Sequence, residues 1–403
     1  MSPTTLHANQ RPPSEGASPQ RSPVDFLEAA RHLSAEERQR LMHVHQRLQQ
    51  SVRPAAIEPW NNEEFPAHLL PELADLGLGE TILDGSSQLF QGLVSATIAR
   101  ADVSLSALLG IHNELIVGTI EALGSQEHKE TWLPALRQLK ALGAFSLTEP
   151  DHGSDIAGGL ETSATLTERG WVLRGRKRWI GAGTIADVAI IWARDTSDSE
   201  VKGFVVPTDT PGYWATKIKN KTGLRIMQNA DLEFDDLTVP ESALLPGATS
   251  FSMANELLMA SRAWVGWQAV GAQQALFDVI TSYAQQRSQF GVPIGSFQLI
   301  QSTLATVAGN LAASASMMAD TADIQNRGEL TMLRASMVKA TLTRLARESA
   351  ALAREVLGGN GILSDYEAAK IAGDVEAIYT YEGTHTINSL IVGRAITGVS
   401  AFV

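Results

Sequence analysis

The sequence predicts an α+β fold of several domains, in which helical domains flank a middle β domain of the barrel or sandwich type. Three observations indicate this order: helical periodicity early in the chain, a central stretch of short β-prone runs, and helical periodicity again up to the C-terminus. The chain has 403 residues, 44% of them apolar, so it can bury a large core. We expect an N-terminal helical domain over residues 24–142, a β domain over 143–248 and a C-terminal helical domain over 249–403.

The N-terminal end of the chain differs in composition from the rest. Residues 1–23 are rich in Pro, Ser, Gln and Asn and poor in large apolar residues, which predicts a flexible tail rather than a transit peptide. Ser34, followed by Glu36 and Glu37, is typical of a helix start. Residues 102–123 are nearly uncharged and predict a buried helix. No run reaches the roughly 18 uninterrupted apolar residues of a membrane span, so we expect none.

The middle and C-terminal domains differ in their apolar pattern. In the middle domain Gly170 is placed like the turn of a hairpin, and the β-prone runs are residues 162–166, 170–173, 188–192, 204–206 and 232–234. In the C-terminal domain five apolar residues recur at helical spacing and so share one face of a long helix: Val338, Leu342, Leu345, Leu352 and Val356.

Composition excludes several classes of function. Lys and Arg number 32 against 44 Asp and Glu, and the formal charge of −12 disfavours a nucleic-acid partner. The chain has no Cys, which excludes disulfides, thiolate nucleophiles and Cys-ligated metal clusters. The nine His are scattered without the i, i+4 pairing of a helical zinc site, so we predict no catalytic metal. A cytoplasmic location fits this composition.

Two segments of the middle domain carry residue types suited to binding. Residues 145–155 offer backbone N–H groups and the hydroxyls of Thr148 and Ser154 to a polar cofactor edge or a phosphate, or else form an ordinary capped turn. Trp179 stands beside small residues, where an indole can form a flat wall for an aromatic ligand. By itself, such a Trp favours a core position.

Two further segments lie in the C-terminal domain. Residues 357–361, Leu-Gly-Gly-Asn-Gly, follow a long helix and indicate either a helix stop or close approach of a pyrophosphate. Glu382 lies between Tyr381 and Gly383, just before a helix resumes. A carboxylate in an apolar turn has its pKa raised toward that of a general base. A helix-start Glu that faces the helix dipole explains the same residues equally well.

These four segments, in this order and at these separations, resemble the acyl-CoA dehydrogenase and oxidase superfamily of flavoproteins. Within it, the chain is most similar to the branch of glutaryl-CoA dehydrogenase and short-chain acyl-CoA oxidase. The matching motifs are residues 147–155, Trp179-Ile180, residues 287–291, residues 357–361 and residues 381–384. The resemblance implies a C-terminal four-helix bundle and FAD bound between that bundle, the β domain and a partner subunit.

The resemblance also implies a role for individual residues. Glu382 becomes the base that removes the α-proton of an acyl-CoA thioester as hydride leaves for flavin N5, which gives a trans-2-enoyl-CoA. FAD contacts are implied at Phe145, Leu147, Thr148, Gly153, Ser154, Trp179, Ile180, Glu355 and Thr384. Contacts to the FAD of a neighbouring subunit are implied at Arg287, Phe290, Gln298, Gly358 and Gly359. Substrate contacts are implied at Ser154, Arg262 and Gly383, although a solvated surface Arg is the alternative for Arg262.

The implied partners are an acyl-CoA substrate, an electron-transfer flavoprotein and further copies of the chain, most often in a tetramer. Many family dehydrogenases carry Thr where this chain has Gly181, so an oxidase that passes electrons to O₂ and releases H₂O₂ is the alternative. Ser106 or a neighbour stands where glutaryl-CoA dehydrogenase has an Arg, which argues against glutaryl-CoA. Trp264 and Trp267 either shorten the acyl tunnel or are core residues. The C-terminal Ser-Ala-Phe-Val lacks a peroxisomal address, which favours the cytoplasm.

Overall fold

The computed structural model describes residues 29–401, and the flexible tail predicted for residues 1–23 lies outside the described residues. The N-terminal part is helical: α1 (Ala35–Arg47), α2 (Arg53–Ala55), α3 (Ile57–Asn62), α4 (Leu70–Asp75), α5 (Gln88–Ala101), α6 (Val103–Gly110), α7 (Gly118–Leu123) and α8 (Gln126–Arg137). The predicted start of α1 is confirmed. The Ser34 hydroxyl accepts from the N–H of Glu37 at 3.1 Å, and the Glu37 carboxylate accepts from the N–H of Ser34 at 3.0 Å.

The predicted buried helix is confirmed as a continuous helical run from α6 to α7. A π-helical turn, Ile111–Val117, joins the two helices. The run Val103–Leu123 is long and apolar enough to cross a membrane, but 83% of its most apolar stretch is buried inside the protein. It is therefore a core helix of this fold. π turns of this kind occur often at functional sites.

The middle part of the chain forms a curled seven-stranded sheet. The strands are β1 (Gly143–Ser146), β2 (Ser163–Thr167), β3 (Gly170–Ile180), β4 (Val188–Asp195), β5 (Val201–Pro207), β6 (Tyr213–Lys217) and β7 (Ala230–Val239), with the short helix α9 (Ile156–Gly159) after β1. The strand order is β1-β4-β2-β3-β7-β6, and β5 pairs with the other edge of β4. β1 and β2 run parallel to β4, whereas the other pairs are antiparallel.

Four of the five predicted β-prone runs lie wholly in strands, and the run 162–166 begins one residue before β2. The hairpin turn at Gly170 is confirmed. Gly170 pairs with Thr167 across the turn and has φ +104°. A Cβ at this position would lie 2.3 Å from the carbonyl oxygen of Val239, so only glycine fits. The sequence did not predict β1 or β6 as strands.

The C-terminal part is a helical bundle, which confirms the predicted fold class. Its helices are α10 (Phe251–Gln286), α11 (Gln298–Asn326), α12 (Met332–Leu357), α13 (Ala368–Thr380) and α14 (His385–Thr397), with a β8 (Ser288–Gln289) and β9 (Val292–Pro293) hairpin after α10. Helix α12 packs against the other four helices, and α10 also packs against α5. The predicted apolar face of α12 lies in the core: Val338, Leu342 and Val356 are buried, and Leu345 and Leu352 pack against them.

A buried ionic cluster joins the three parts of the chain. The Lys370 ammonium on α13 donates to the carboxylates of Asp102 and Asp374. Asp374 in turn accepts from Trp60 Nε1 at 2.8 Å and from the backbone N–H of Leu224 at 2.6 Å. This cluster therefore connects helices of the N-terminal part, the loop after β6 and the C-terminal bundle.

Candidate active site

Glu382 lies in a tight turn between α13 and α14. Its backbone has φ +53°, in the left-handed region that a non-glycine residue rarely adopts, and Gly383 follows with φ +80°. The Asn388 amide holds the turn by donating to the carbonyl oxygen of Gly383 at 2.8 Å and to that of Thr384 at 3.1 Å. Strain of this kind persists only where the surroundings impose it, and it is concentrated at functional sites.

The half-buried Glu382 side chain contacts α10. Ser261 Oγ donates to Glu382 Oε2 at 2.7 Å, and Arg262 Nε donates to the Glu382 carbonyl oxygen at 3.3 Å. Burial raises the pKa of Glu382 above its usual value, although the Ser261 hydroxyl and the charges of Arg262 and Lys339 act to lower it. A carboxylate with a raised pKa is suited to accept a proton, which favours the general-base interpretation over a helix-start Glu.

Lys339 on α12 holds the same turn through hydrogen bonds to its carbonyl oxygens. Its side chain is fully buried, and its ammonium donates to the carbonyl oxygens of Tyr379 at 2.8 Å and Gly383 at 2.7 Å. Burial lowers the pKa of Lys339 to about 7. The sequence does not single out Ser261, Lys339 or Asn388, because each is an ordinary polar residue within a helical pattern.

Arg262 is buried rather than a solvated surface residue. Only 7% of it is exposed, and its Nη1 lies 2.8 Å from the sulfur of Met332. Burial lowers its pKa from the usual arginine range. The structure thus places Arg262 against the Glu382 turn, beside Gly383.

The predicted binding loop and Trp179 meet where β1 and β3 end. Thr148 Oγ1 donates to the Arg178 carbonyl oxygen at 2.7 Å, and the Arg178 N–H donates to the Thr148 carbonyl oxygen at 2.9 Å. Trp179 has φ +64° and is 55% exposed, with the Arg178 guanidinium 5.2 Å from its ring, whereas Ile180 is buried. Trp179 is therefore not the core residue that its own sequence context favours. A flat aromatic group fits against its exposed indole.

A buried ion pair that the sequence does not single out shapes this loop. Lys177 Nζ donates to Glu149 Oε1 at 2.8 Å and to the Leu147 carbonyl oxygen at 2.9 Å. Glu149 also accepts from the backbone N–H groups of Glu161 at 2.7 Å and Thr162 at 2.9 Å. Burial lowers the pKa of Lys177 to about 8. The pair fixes the path of the chain just before the exposed end of the loop.

The remaining predicted contacts of this group have different surroundings. Phe145 and Leu147 are buried, whereas Gly153 and Ser154 are exposed. Thr384 caps α14, because its Oγ1 accepts from the backbone N–H of Ile387 at 3.2 Å.

A second group of predicted residues lies at the far end of α10. Arg287, Phe290, Gln298, Glu355, Gly358 and Gly359 are all exposed. Tyr283 joins the two sides of this group, since its hydroxyl donates to the Leu357 carbonyl oxygen at 3.4 Å and accepts from Asn360 Nδ2 at 3.0 Å. Among the described residues, no hydrogen bond, ion pair or ring contact joins this group to Trp179 or Glu382. A single chain thus holds two separate groups of predicted residues.

A cavity of about 200 Å³ lies between α5, α6 and α10. Trp264 and Trp267 line it, and glycines make room for both indoles. A Cβ at Gly110 would lie 1.6 Å from Trp264 Cζ2, and one at Gly92 would lie 2.1 Å from Trp267 Cε2. Ser106 is also on the wall, and within residues 29–401 no Arg lines the cavity.

Comparisons with known sequences match one protein family along nearly the whole described chain. Family profiles match in three consecutive blocks: "Acyl-CoA dehydrogenase, N-terminal domain" at residues 34–140, "middle domain" at residues 144–237 and "C-terminal domain" at residues 251–397. The chain is 32% identical over 357 residues to an acyl-CoA dehydrogenase of Bacillus subtilis (strain 168), which covers 86% of this chain and 94% of that protein. It is 30% identical over 371 residues to the mitochondrial short-chain specific acyl-CoA dehydrogenase of Bos taurus, covering 87% of this chain and 90% of the relative.

Solved structures give the same likeness. A glutaryl-CoA dehydrogenase from Mycobacterium smegmatis has a TM-score of 0.90 and 38% identity, and the match covers 95% of this chain and 100% of that one. A glutaryl-CoA dehydrogenase from the same organism, in complex with FADH2, has a TM-score of 0.91 and 32% identity, and the match covers 94% and 99% of the two chains.

Proposed function

The chain belongs to the acyl-CoA dehydrogenase family, and from this premise we propose that Glu382 is the base that removes the α-proton of its acyl-CoA substrate. The protein is an FAD-dependent enzyme that dehydrogenates acyl-CoA thioesters. In the proposed step the α C–H bond breaks and its proton passes to a Glu382 oxygen. The β C–H electron pair leaves as hydride, and the α–β double bond of a trans-2-enoyl-CoA forms. Bound FAD supplies the oxidant, since its N5 takes up a hydride.

The observation that carries the proposal is the geometry of the Glu382 turn. Ser261 holds one carboxylate oxygen, so the carboxylate has a fixed orientation, and burial has raised its pKa. Among the described residues, the backbone N–H of Glu382 donates no hydrogen bond. It is therefore available to stabilise the negative charge that develops on the thioester oxygen as the proton leaves.

We propose that the two groups of predicted residues bind FAD. The exposed indole of Trp179 and the Thr148 loop would hold the ring system next to the Glu382 turn. Arg287, Phe290, Gly358 and Gly359 lie elsewhere on the chain and would reach the FAD of a neighbouring subunit. Phe290 is 95% exposed and nearby Leu299 is 83% exposed, and an exposed apolar patch is typical of an interface. These features support a homo-oligomer, and a tetramer is proposed.

The electron acceptor proposed is an electron-transfer flavoprotein, with O₂ as the alternative. The alternative depends on Gly181. A Cβ there would lie 2.8 Å from Ile111 Cδ1 and 3.2 Å from Met227 Sδ, so a Thr would require the ends of these two flexible side chains to shift. The departure from the dehydrogenase pattern is therefore accommodated by the packing around it.

Anaerobic mixing of the FAD-loaded protein with a short-chain acyl-CoA is expected to bleach the flavin absorbance in one phase. On admission of air, the reduced, product-bound enzyme is expected to reoxidise much more slowly than it turns over with an artificial acceptor. Stopped-flow absorbance and a peroxide assay measure both steps. Peroxide release within one turnover time would establish the oxidase instead, and a protein that takes up no FAD would overturn the function altogether.

Replacing Ser261 with Ala is expected to shift the pH dependence of flavin reduction. The reduction rate rises with pH as Glu382 loses its proton and becomes competent as a base. Because the Ser261 hydrogen bond lowers the pKa of Glu382, its removal raises that pKa, and the rising limb moves to higher pH. Stopped-flow rates across the pH range measure the limb, with Ser252→Ala at an exposed position on the same helix as the control. An unmoved limb in Ser261→Ala would contradict the assignment of the limb to Glu382.

A further inference from the structure

An acidic side chain without a partner faces the cavity beside α10. Glu114 lies in the π-helical turn Ile111–Val117 and lines the cavity of about 200 Å³. Within residues 29–401, no hydrogen bond or ion pair reaches its carboxylate. Burial raises the pKa of Glu114 to about 7, and burial is the one cause of that shift. Glu114 is half-buried, so its carboxyl group faces the cavity without a partner from the described part of the chain.

Two more oxygens on the same wall lack a donor. Asn113 uses its amide N–H groups to donate to the carbonyl oxygens of Leu78 at 2.8 Å and Leu109 at 2.9 Å, which leaves its Oδ1 without a partner. The hydroxyl oxygen of Ser95 is also unpartnered. Both residues line the cavity together with Glu114. The wall thus presents several acceptors to whatever enters, and at a pH above the Glu114 pKa of about 7 it also carries a negative charge.

A chain of side-chain hydrogen bonds links the cavity wall to the Glu382 turn. Ser106 Oγ on the wall accepts from Gln268 Nε2 at 3.2 Å. Gln268 Oε1 in turn accepts from the hydroxyl of Tyr381, the residue before Glu382. From the other side, Ile111 lies in the same π turn as Glu114 and closes the space around Gly181. The inference takes this cavity as the space for the later carbons of an acyl group whose α-carbon is at Glu382.

The chemistry of the wall selects among possible acyl groups. A plain alkyl chain would cover Glu114 and Asn113 Oδ1 without giving either a donor, which is unfavourable for buried polar groups. A second carboxylate, as in glutaryl-CoA, would meet the like charge of Glu114 with no Arg on the wall to neutralise it. A hydroxyl or a protonated amine would satisfy the free oxygens.

We propose that the preferred substrate is an acyl-CoA whose distal carbon carries a hydrogen-bond donor, a hydroxyl or a protonated amine, held by Glu114. This inference rests on the proposed function, because it places the acyl group between Glu382 and the cavity. It assigns to Glu114 the choice of substrate and no part in proton abstraction.

Matched substrates that differ in one distal group test the inference. Pentanoyl- and hexanoyl-CoA are compared with their ω-hydroxy and ω-amino counterparts as reductants of the FAD-loaded enzyme. Binding of the corresponding trans-2-enoyl-CoAs is measured separately from the change in flavin absorbance on titration. At one of the two chain lengths, the better of the two donor-bearing substrates should have a kcat/KM at least tenfold above that of the alkyl substrate. Its trans-2-enoyl-CoA should also bind at least tenfold more tightly than the alkyl enoyl-CoA.

Substitutions of Glu114 separate the two donors. Glu114→Leu is expected to abolish the preference for both groups. Glu114→Gln, which keeps an acceptor oxygen but loses the charge, should retain a preference for the hydroxyl and lose that for the amine. Glu121→Gln is the matched control, because Glu121 lies seven residues further along the same helical run, is 44% exposed and pairs with Lys129 at 3.0 Å. FAD content and the thermal midpoint show whether each variant is folded.

The outcomes for the two proposals are distinct. Equal use of alkyl and donor-bearing substrates, within threefold in wild type and in Glu114→Leu, would overturn the role of Glu114 while leaving acyl-CoA dehydrogenation intact. Failure of every acyl-CoA to bleach the flavin would overturn the proposed function. In that case the enoyl-CoA affinities still decide whether Glu114 selects a donor.

Discussion

Replacing Glu382 with Gln is expected to slow flavin reduction by acyl-CoA by a factor of about 10² to 10⁴, the usual contribution of a general base. The amide cannot take up the α-proton, yet its oxygen can still accept the hydrogen bond from Ser261, which lies 2.7 Å from Glu382 Oε2. The turn, FAD content and affinity for enoyl-CoA should therefore be close to those of the wild type. Anaerobic stopped-flow absorbance measures the reduction rate, and titration measures the affinity.

Glu376→Gln is the matched control for this substitution. Glu376 lies on α13, six residues before Glu382, but it is 54% exposed and pairs with Arg347 at 2.8 Å on the surface. Its loss should leave the reduction rate unchanged. Bleaching at the wild-type rate in Glu382→Gln would remove Glu382 from its role. Loss of FAD from that variant would instead point to a structural role for the carboxylate.

The contrast between Glu382 and its supporting residues shows how far the sequence can predict this site. Glu382 stands out because a carboxylate, an aromatic residue and a glycine are adjacent in the chain. Ser261 lies 121 residues away and Lys339 lies 44 residues from Gly383, and each falls within a helical pattern where a hydroxyl or a Lys is unremarkable. Only the fold brings these residues together. The local sequence pattern therefore predicts the base, Glu382, but not the groups that set its pKa.

Backbone geometry explains other differences between expectation and structure. Periodicity predicts an indole beside small residues to be core, but the positive φ of Trp179 turns the ring outward at the end of β3. β1 was not predicted as a strand because Gly-Ala-Phe-Ser contains one residue of high β propensity, and its partner β4 begins 45 residues later. Long segments with clear periods, such as α12 and the residue 102–123 run, were predicted well, since their apolar residues already define the buried face.

Replacing Lys370 with Met is expected to give the largest loss of stability. Lys370 is 4% exposed and lies between Asp102 and Asp374, whose side chains are fully buried, so the substitution leaves two carboxylates close together with no cation. The pKa of Asp374 is already raised, mainly by burial. Breaking a buried ionic group in this way typically lowers the free energy of unfolding by about 3–5 kcal/mol. Urea denaturation of the FAD-loaded protein measures the change.

Two further variants separate charge from packing in this cluster. Lys129→Met breaks an exposed pair with Glu121 and should cost no more than about 1 kcal/mol. Adding Asp374→Asn to Lys370→Met removes one of the stranded charges, while the amide oxygen still accepts from Trp60, so part of the lost stability should return. If Lys370→Met is as stable as Lys129→Met, the cluster does not stabilise the junction of the three parts. If the double variant is no better than Lys370→Met, the loss arises from packing around the lysine stem rather than from the carboxylates.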